Sequence, residues 1–250
     1  MRNLVAAGKL VRVALHLLRG FLTVYFVFPK LSQAQKNKRV EVWAGESIQK
    51  LAIKLVVKGT PPVAGPMLLV SNHISWLDIL VMHASGHCRF VSKADVKHWP
   101  VLGALTTAGG TLYIERESRR DAMRVVHHMC EALTEGDILA VFPEGTTGNG
   151  IDLLPFHANL LQAAIVAKAP VQAVALQFID TQTGHISQAA SFVDDETLFG
   201  SVWRTLKSKG VAAVITYGEP QLAGSRDRRA LAADLQADIA RMKATSASSV

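Results

Sequence analysis

At 250 residues, 49% of them hydrophobic, the chain suits one large domain or a domain with an appendage. The net charge of +7 is unevenly placed, with +9 over residues 1–60 and −2 over the remainder, so the basic character does not belong to a nucleic-acid-binding core. The two cysteines, Cys88 and Cys130, lie far apart with no neighbouring ligands, so they show no zinc spacing and force no disulfide framework, and a reducing compartment is the plainer reading.

Residues 4–28 are apolar apart from Lys9, Arg12, His16 and Arg19, whose spacings of three, four and three put them on one helical face, with Arg2 close to it. Those charges break the run of about 20 apolar residues that a spanning helix needs. The expectation is a basic amphipathic helix lying in a membrane interface, with the 21–28 end able to dip deeper. A secretory signal is disfavoured because no small-residue cleavage site stands near Pro29. A second helix is expected over 30–50. Residues 1–51 are therefore expected to be membrane-associating helices and residues 52–250 an α/β domain.

Ile53, Leu55 and Val57 alternate with Lys54 and Lys58, which predicts a half-exposed strand. Met67-Leu68-Leu69-Val70, bounded by Pro66 and a polar cluster, predicts a buried strand. Next come a helix over 76–84, a strand over 89–92 and a helical stretch over 93–105 broken at Pro100. A strand over 111–115 ends at Arg116. An amphipathic helix over 118–134 has Ser118 as its cap and Gly136 as its stop. A buried strand over 137–142 runs into Pro143-Glu144-Gly145-Thr146-Thr147-Gly148. A helix over 158–168, strands over 171–178 and 211–217 and a closing helix over 225–243 complete the pattern. Alternating strands and helices predict an α/β fold with a mostly parallel sheet flanked by helices. Ligands bind such sheets at the carboxyl ends of the strands. His73, Arg116 and Glu144 each fall just after a predicted strand, on one rim.

The stretch Ser71-Asn72-His73-Ile74-Ser75-Trp76-Leu77-Asp78 organises this rim. Residues five apart on a regular helix point about 140° away from each other. With Ser75 as N-cap, His73 falls in the loop and Asp78 in the first turn, so the carboxylate can reach back to the imidazole. The histidine is then held in one tautomer, ready to take a proton from a bound hydroxyl. The blander alternative makes Asp78 only the acidic half of a capping box. No other histidine in the chain has an aspartate five residues later.

Asn72-His73-x-Ser75-x-x-Asp78 resembles the first signature of the glycerolipid acyltransferases, the 1-acylglycerol-3-phosphate acyltransferase group of the lysophospholipid acyltransferase superfamily. Gly110-Thr111-Leu112-Tyr113-Ile114-Glu115-Arg116 is similar to the second, and Phe142-Pro143-Glu144-Gly145-Thr146 to the third. Pro170-Val171-Gln172-Ala173-Val174-Ala175 resembles the fourth, and Lys93 with Pro100-x-x-Gly103 matches the pattern between the first two. The blocks occur in order across residues 53–217. There are two departures: Thr147 stands where an arginine is usual, and Ala173 where a second proline is usual.

The resemblance implies transfer of a fatty acyl group from acyl-CoA or acyl-carrier protein to the free hydroxyl of 1-acylglycerol-3-phosphate, giving phosphatidic acid. The thioester is already activated, so neither a covalent nucleophile nor a metal or other cofactor is called for. His73 would be the base and Asp78 its orienter. Arg116 and Lys93 would bind the anionic head of the acceptor, and Glu144, Gly145 and Thr146 would position it. Backbone N–H groups near Gly145 or at the helix start would hold the oxyanion. The expected partners are a bilayer and the lysolipid, at the cytoplasmic face of the inner membrane. The absent arginine weakens a phosphate site, since arginine pairs phosphate oxygens bidentately. Transfer to lyso-ornithine lipid is therefore the alternative. A lipid hydrolase would need a G-x-S-x-G elbow, and none occurs.

Overall fold

The computed structural model describes residues 2–114, 119–193 and 196–246. Within them the chain runs α1 (Arg2–Phe26), α2 (Gln33–Lys50), β1 (Ile53–Lys58), β2 (Met67–Ser71), α3 (Leu77–Ser85), β3 (Arg89–Lys93), α4 (Leu102–Ala108) and β4 (Leu112–Ile114). It continues with α5 (Arg119–Thr134), β5 (Ile138–Val141), α6 (Gln162–Ala167), β6 (Val171–Asp180), α7 (Leu198–Lys207), β7 (Val211–Tyr217) and α8 (Arg228–Ser246).

The strands form one seven-stranded sheet in the order β1-β7-β6-β2-β5-β3-β4. The run β6-β2-β5-β3-β4 is parallel throughout, β1 pairs parallel with β7, and only β6 and β7 pair antiparallel. The α/β expectation is met. The strands alternate their side chains between two apolar layers, as a strand with both faces covered must. Met67, Leu69, Ile138, Ala140, Leu176 and Phe178 join one core with residues of α1, α2, α3 and α7. Leu68, Val70, Leu139, Val141, Val171 and Ala173 join the other with residues of α5, α6 and α8. Ala6, Ile48 and Leu51 lie in the first of these cores, so α1 and α2 pack on the sheet's own hydrophobic layer.

The predicted strands lie within a residue or two of their observed ends. The helical stretches differ more. The 93–105 stretch is a 3₁₀ turn, Ala94–His98, followed by α4, and the 158–168 stretch is a 3₁₀ turn, Ala158–Leu161, followed by α6. Helix α7 was not anticipated. Gly200 and Ser201 read locally against a helix, but the Thr197 hydroxyl caps it by accepting from Gly200 N at 3.1 Å.

The basic stripe of α1 is oriented opposite to the expectation. Its middle, Lys9 and His16, packs against protein, while Arg12 and Arg19 stay exposed at the edge of that contact. His16 is buried, stacks on Trp43 at 5.1 Å between ring centroids and lies 3.0 Å from Ser47 Oγ. Lys9 donates to the carbonyl of Leu206 in the last turn of α7, where the helix dipole favours a cation. Arg19 bonds Glu46 of α2. The exposed face is apolar instead: Leu4, Val11, Leu15, Leu18, Leu22, Tyr25 and Phe26 repeat at helical spacing along it. Lys9, His16 Nε2 and Arg19 find partners on α2 and α7, which the chain's local pattern could not reveal.

Candidate active site

β2 is buried along its whole length and ends at Ser71. Asn72 then extends the pairing with β6 by side chain alone. Its Nδ2 donates to Leu176 O at 3.1 Å and its Oδ1 accepts from Leu176 N at 2.8 Å. The amide replaces one strand residue and lets the main chain turn away toward α3. Sequence reasoning gave Asn72 no role, although the polar pair Ser71-Asn72 straight after the apolar run Met67 to Val70 was a usable signal.

His73 sits in that turn. Its Nδ1 lies 2.8 Å from Asp78 Oδ2, and the same oxygen accepts from Ile74 N at 2.6 Å and Ser75 N at 2.9 Å. Asp78 is fully buried, whereas the His73 side chain is 20% exposed. The carboxylate takes hydrogen bonds only as an acceptor, so Nδ1 carries the proton and Nε2 keeps its lone pair. The ring is also clamped by stacking on Phe142, with centroids 4.0 Å apart, and Phe142 stacks in turn on Phe90.

The capping expectation needs a correction. The N-cap is Trp76, with no side-chain cap bond, while Ser75 Oγ accepts from Leu77 N at 3.3 Å. Asp78 satisfies backbone N–H groups of the turn and orients His73 at once, so the two readings of this carboxylate describe one arrangement. The oxyanion expectation narrows to the N–H groups just beyond Gly145. The N–H groups of Ile74 and Ser75 are taken by Asp78, and that of Gly145 by Phe142 O.

β5 lies beside β2, so the turn after it faces the His73 turn. Glu144, 5% exposed, accepts from His73 N at 3.3 Å, and Gly148 N donates to His73 O at 2.8 Å. Burial pushes the Glu144 carboxyl up to about 7, against the opposing pull of the His73 and Leu154 N–H groups and of the Lys243 ammonium. Gly145 has φ +72°, a left-handed conformation that glycine adopts without strain, and it brings His157 against the same turn. Gly145 and Thr146 are exposed, Thr147 is half-buried. The segment after β6 closes the far side: Phe192 N donates to Ile74 O at 2.9 Å, and Gln188 Nε2 to Asn149 O at 3.0 Å.

The structure thus brings His73, Asp78 and Glu144 together, with Gly145 and Thr146 on the adjoining turn. Lys93 ends β3, beyond β5 on the same rim, with its side chain exposed. Arg116 falls outside the described residues; β4, the strand before it, lies outermost on this side of the sheet.

The family model described as Acyltransferase matches residues 39–177, which contain this whole site. A 1-acyl-sn-glycerol-3-phosphate acyltransferase of Neisseria gonorrhoeae is 37% identical over 82% of this chain and 80% of its own length. A lyso-ornithine lipid O-acyltransferase of Pseudomonas aeruginosa is 36% identical over 78% of this chain and 74% of its own. Among solved structures, the 1-acyl-sn-glycerophosphate acyltransferase PlsC of Thermotoga maritima shares the fold, with a TM-score of 0.64 and 19% identity over 95% of this chain and 97% of that one. The oriented histidine of the β2–α3 turn, the facing glutamate and the similarity across most of the chain converge: this chain is an acyltransferase and belongs to the acyltransferase family.

Proposed function

We propose that the chain transfers a fatty acyl group from a thioester, acyl-CoA or acyl-carrier protein, to the free hydroxyl of 1-acylglycerol-3-phosphate. The observation that carries this reading is the His73–Asp78 pair, with Nε2 as the basic nitrogen of a half-exposed ring. The acceptor oxygen attacks the thioester carbonyl while Nε2 takes its proton. The buried Asp78 carboxylate steadies the imidazolium. When the tetrahedral intermediate collapses, the C–S bond breaks and the imidazolium returns the proton to the departing thiolate. With the Ile74, Ser75 and Gly145 N–H groups engaged, the turn at exposed Thr146 and half-buried Thr147 is the neighbouring source of oxyanion donors. Glu144 holds the catalytic turn through His73 N.

Arg116 and Lys93 are the proposed ligands of the acceptor phosphate. They follow β4 and β3, whose carboxyl ends share the rim with those of β2 and β5. Thr147 in place of an arginine favours a second reading, lyso-ornithine lipid as acceptor, and relatives of both kinds are similar to this chain to the same degree. The deciding experiment offers the two lysolipids side by side with one labelled acyl-CoA; no transfer to lysophosphatidic acid would overturn the first reading.

Both acceptors live in a bilayer. No helix among the described residues is long and apolar enough to cross one. The apolar ridge of α1 supports surface binding, with the helix lying on the cytoplasmic leaflet of the inner membrane. Fully burying a leucine or phenylalanine side chain is worth about 1.5–3 kcal/mol, against about 1 kcal/mol for a basic residue near an anionic surface. Apolar burial therefore dominates, because the ridge exposes many apolar side chains while Lys9 and His16 are engaged by the protein.

A further inference from the structure

Lys243 is 7% exposed, which is unusual for a lysine, and it lies in the last turns of the closing helix α8, far in sequence from the catalytic blocks. Its ammonium donates to Ile151 O at 3.1 Å. Seven residues earlier, two turns back on the same helix face, Gln236 Nε2 donates to Leu154 O at 3.3 Å. Helix α8 therefore grips the loop after Glu144 at two carbonyls. That loop is wired to the base. His73 N donates to the Glu144 carboxylate, the Leu154 N–H favours its charged form, and Gly148 N donates to His73 O. The other Glu144 oxygen faces Gly148, 3.5 Å from where a Cβ there would lie.

We propose that Lys243 is a positioning residue for acyl transfer, holding the 144–154 loop and the Glu144 carboxylate against the His73 turn. Removing one charge from a buried set leaves the other uncompensated, whereas removing both does not. The titratable groups around Glu144 are His73 and Asp78 on the β2–α3 turn, Asp152 and His157 on its own loop, and Lys243 from α8. Of these, Lys243 is the fixed cation, and Glu144 and Asp152 are the carboxylates that act on it. Without the ammonium, Glu144 goes neutral at higher pH, its grip on His73 N weakens, and the base loses its placement relative to the acceptor. Lys243 touches no reacting atom in this account, so its loss acts on kcat.

The inference rests on His73 being the base, so the test carries His73→Ala as its control on the full chain in mixed micelles. The acceptor is whichever of lysophosphatidic acid and lyso-ornithine lipid the wild type turns over. Lys243→Met is expected to lower kcat 10- to 100-fold, to leave the acceptor KM within twofold, and to move the acid limb of the kcat–pH profile upward. In a Glu144→Gln background the same change is expected to cost less than threefold, because the buried charge it exposes is already gone. That comparison also serves if Lys243→Met alone does not fold. A kcat within threefold of wild type for Lys243→Met, a rise in KM with kcat intact, or a loss of more than tenfold in the Glu144→Gln background would each overturn the proposal. An active His73→Ala control would instead sink the base assignment.

Discussion

Asp78 lies five residues after His73, yet its Oδ2 meets His73 Nδ1 at 2.8 Å while accepting two backbone N–H groups of the intervening turn. The helix starts only at Leu77, so the histidine is not on it and the first-turn carboxylate folds back beneath the ring. One oxygen thereby fixes both the turn and the tautomer.

This arrangement separates two variants. His73→Ala should lower kcat by about 10²–10⁴-fold with the melting temperature nearly unchanged, since the half-exposed ring contributes chemistry more than packing. Asp78→Asn should lower kcat and also destabilise the fold by about 1–3 kcal/mol, because a neutral amide oxygen accepts the three hydrogen bonds more weakly than a carboxylate does. Steady-state rates with thermal denaturation on both proteins check this. A His73→Ala enzyme keeping more than about a tenth of the wild-type rate contradicts the base role.

The orientation of α1 makes a specific claim about membranes. Leu15→Glu with Leu22→Glu places two charges on the exposed ridge and should abolish co-sedimentation with zwitterionic vesicles. Arg12→Ala should change binding little on those vesicles. Wild-type sedimentation by the double glutamate variant would remove the ridge as the contact surface.

The acceptor can be read from two substitutions. Arg116→Ala should raise KM for lysophosphatidic acid strongly, by a truncation cost of a few kcal/mol if the phosphate is well desolvated. Thr147→Arg, on the half-buried turn beyond Glu144, should lower it by restoring a bidentate phosphate ligand. If neither variant alters KM for that acceptor, lyso-ornithine lipid takes its place.

His83 supplies a pH test away from the chemistry. Burial, and to a lesser degree His87, lowers its pKa from 6.5 to about 4, and its Nδ1 has no partner. The folded state resists a proton that the unfolded chain takes up below 6.5. The stability His83 confers is therefore complete above that pH and is lost as pH falls toward 4. At pH 5 the loss is about 2 kcal/mol. Glu144, whose pKa is raised, works in the opposite sense and is common to both proteins in the comparison. Urea unfolding of wild type and His83→Leu at pH 7.5 and pH 5 should show a smaller acid loss in the variant. An equal loss in both would rule out His83 as the titrating group.

The chain's own periodicities specified the α/β class, because apolar runs such as Met67 to Val70 need no partner to be recognised as buried strands. The His73–Asp78 contact was legible for a similar reason: it spans five residues and depends on one local event, the start of a helix. Long-range relations were different. Strand order, which places the Glu144 turn beside the His73 turn, depends on which edges pair, and nothing local encodes that. Asn72 finds Leu176 across 104 residues of sequence, and Lys243 finds Ile151 across 92. The clearest case is α1. Its sequence specified two faces, one basic and one apolar, but not which would turn inward. The tertiary structure decided it, because Trp43, Ser47, Glu46 and the end of α7 offer partners to Lys9, His16 and Arg19, and docking that side left the apolar ridge to the outside.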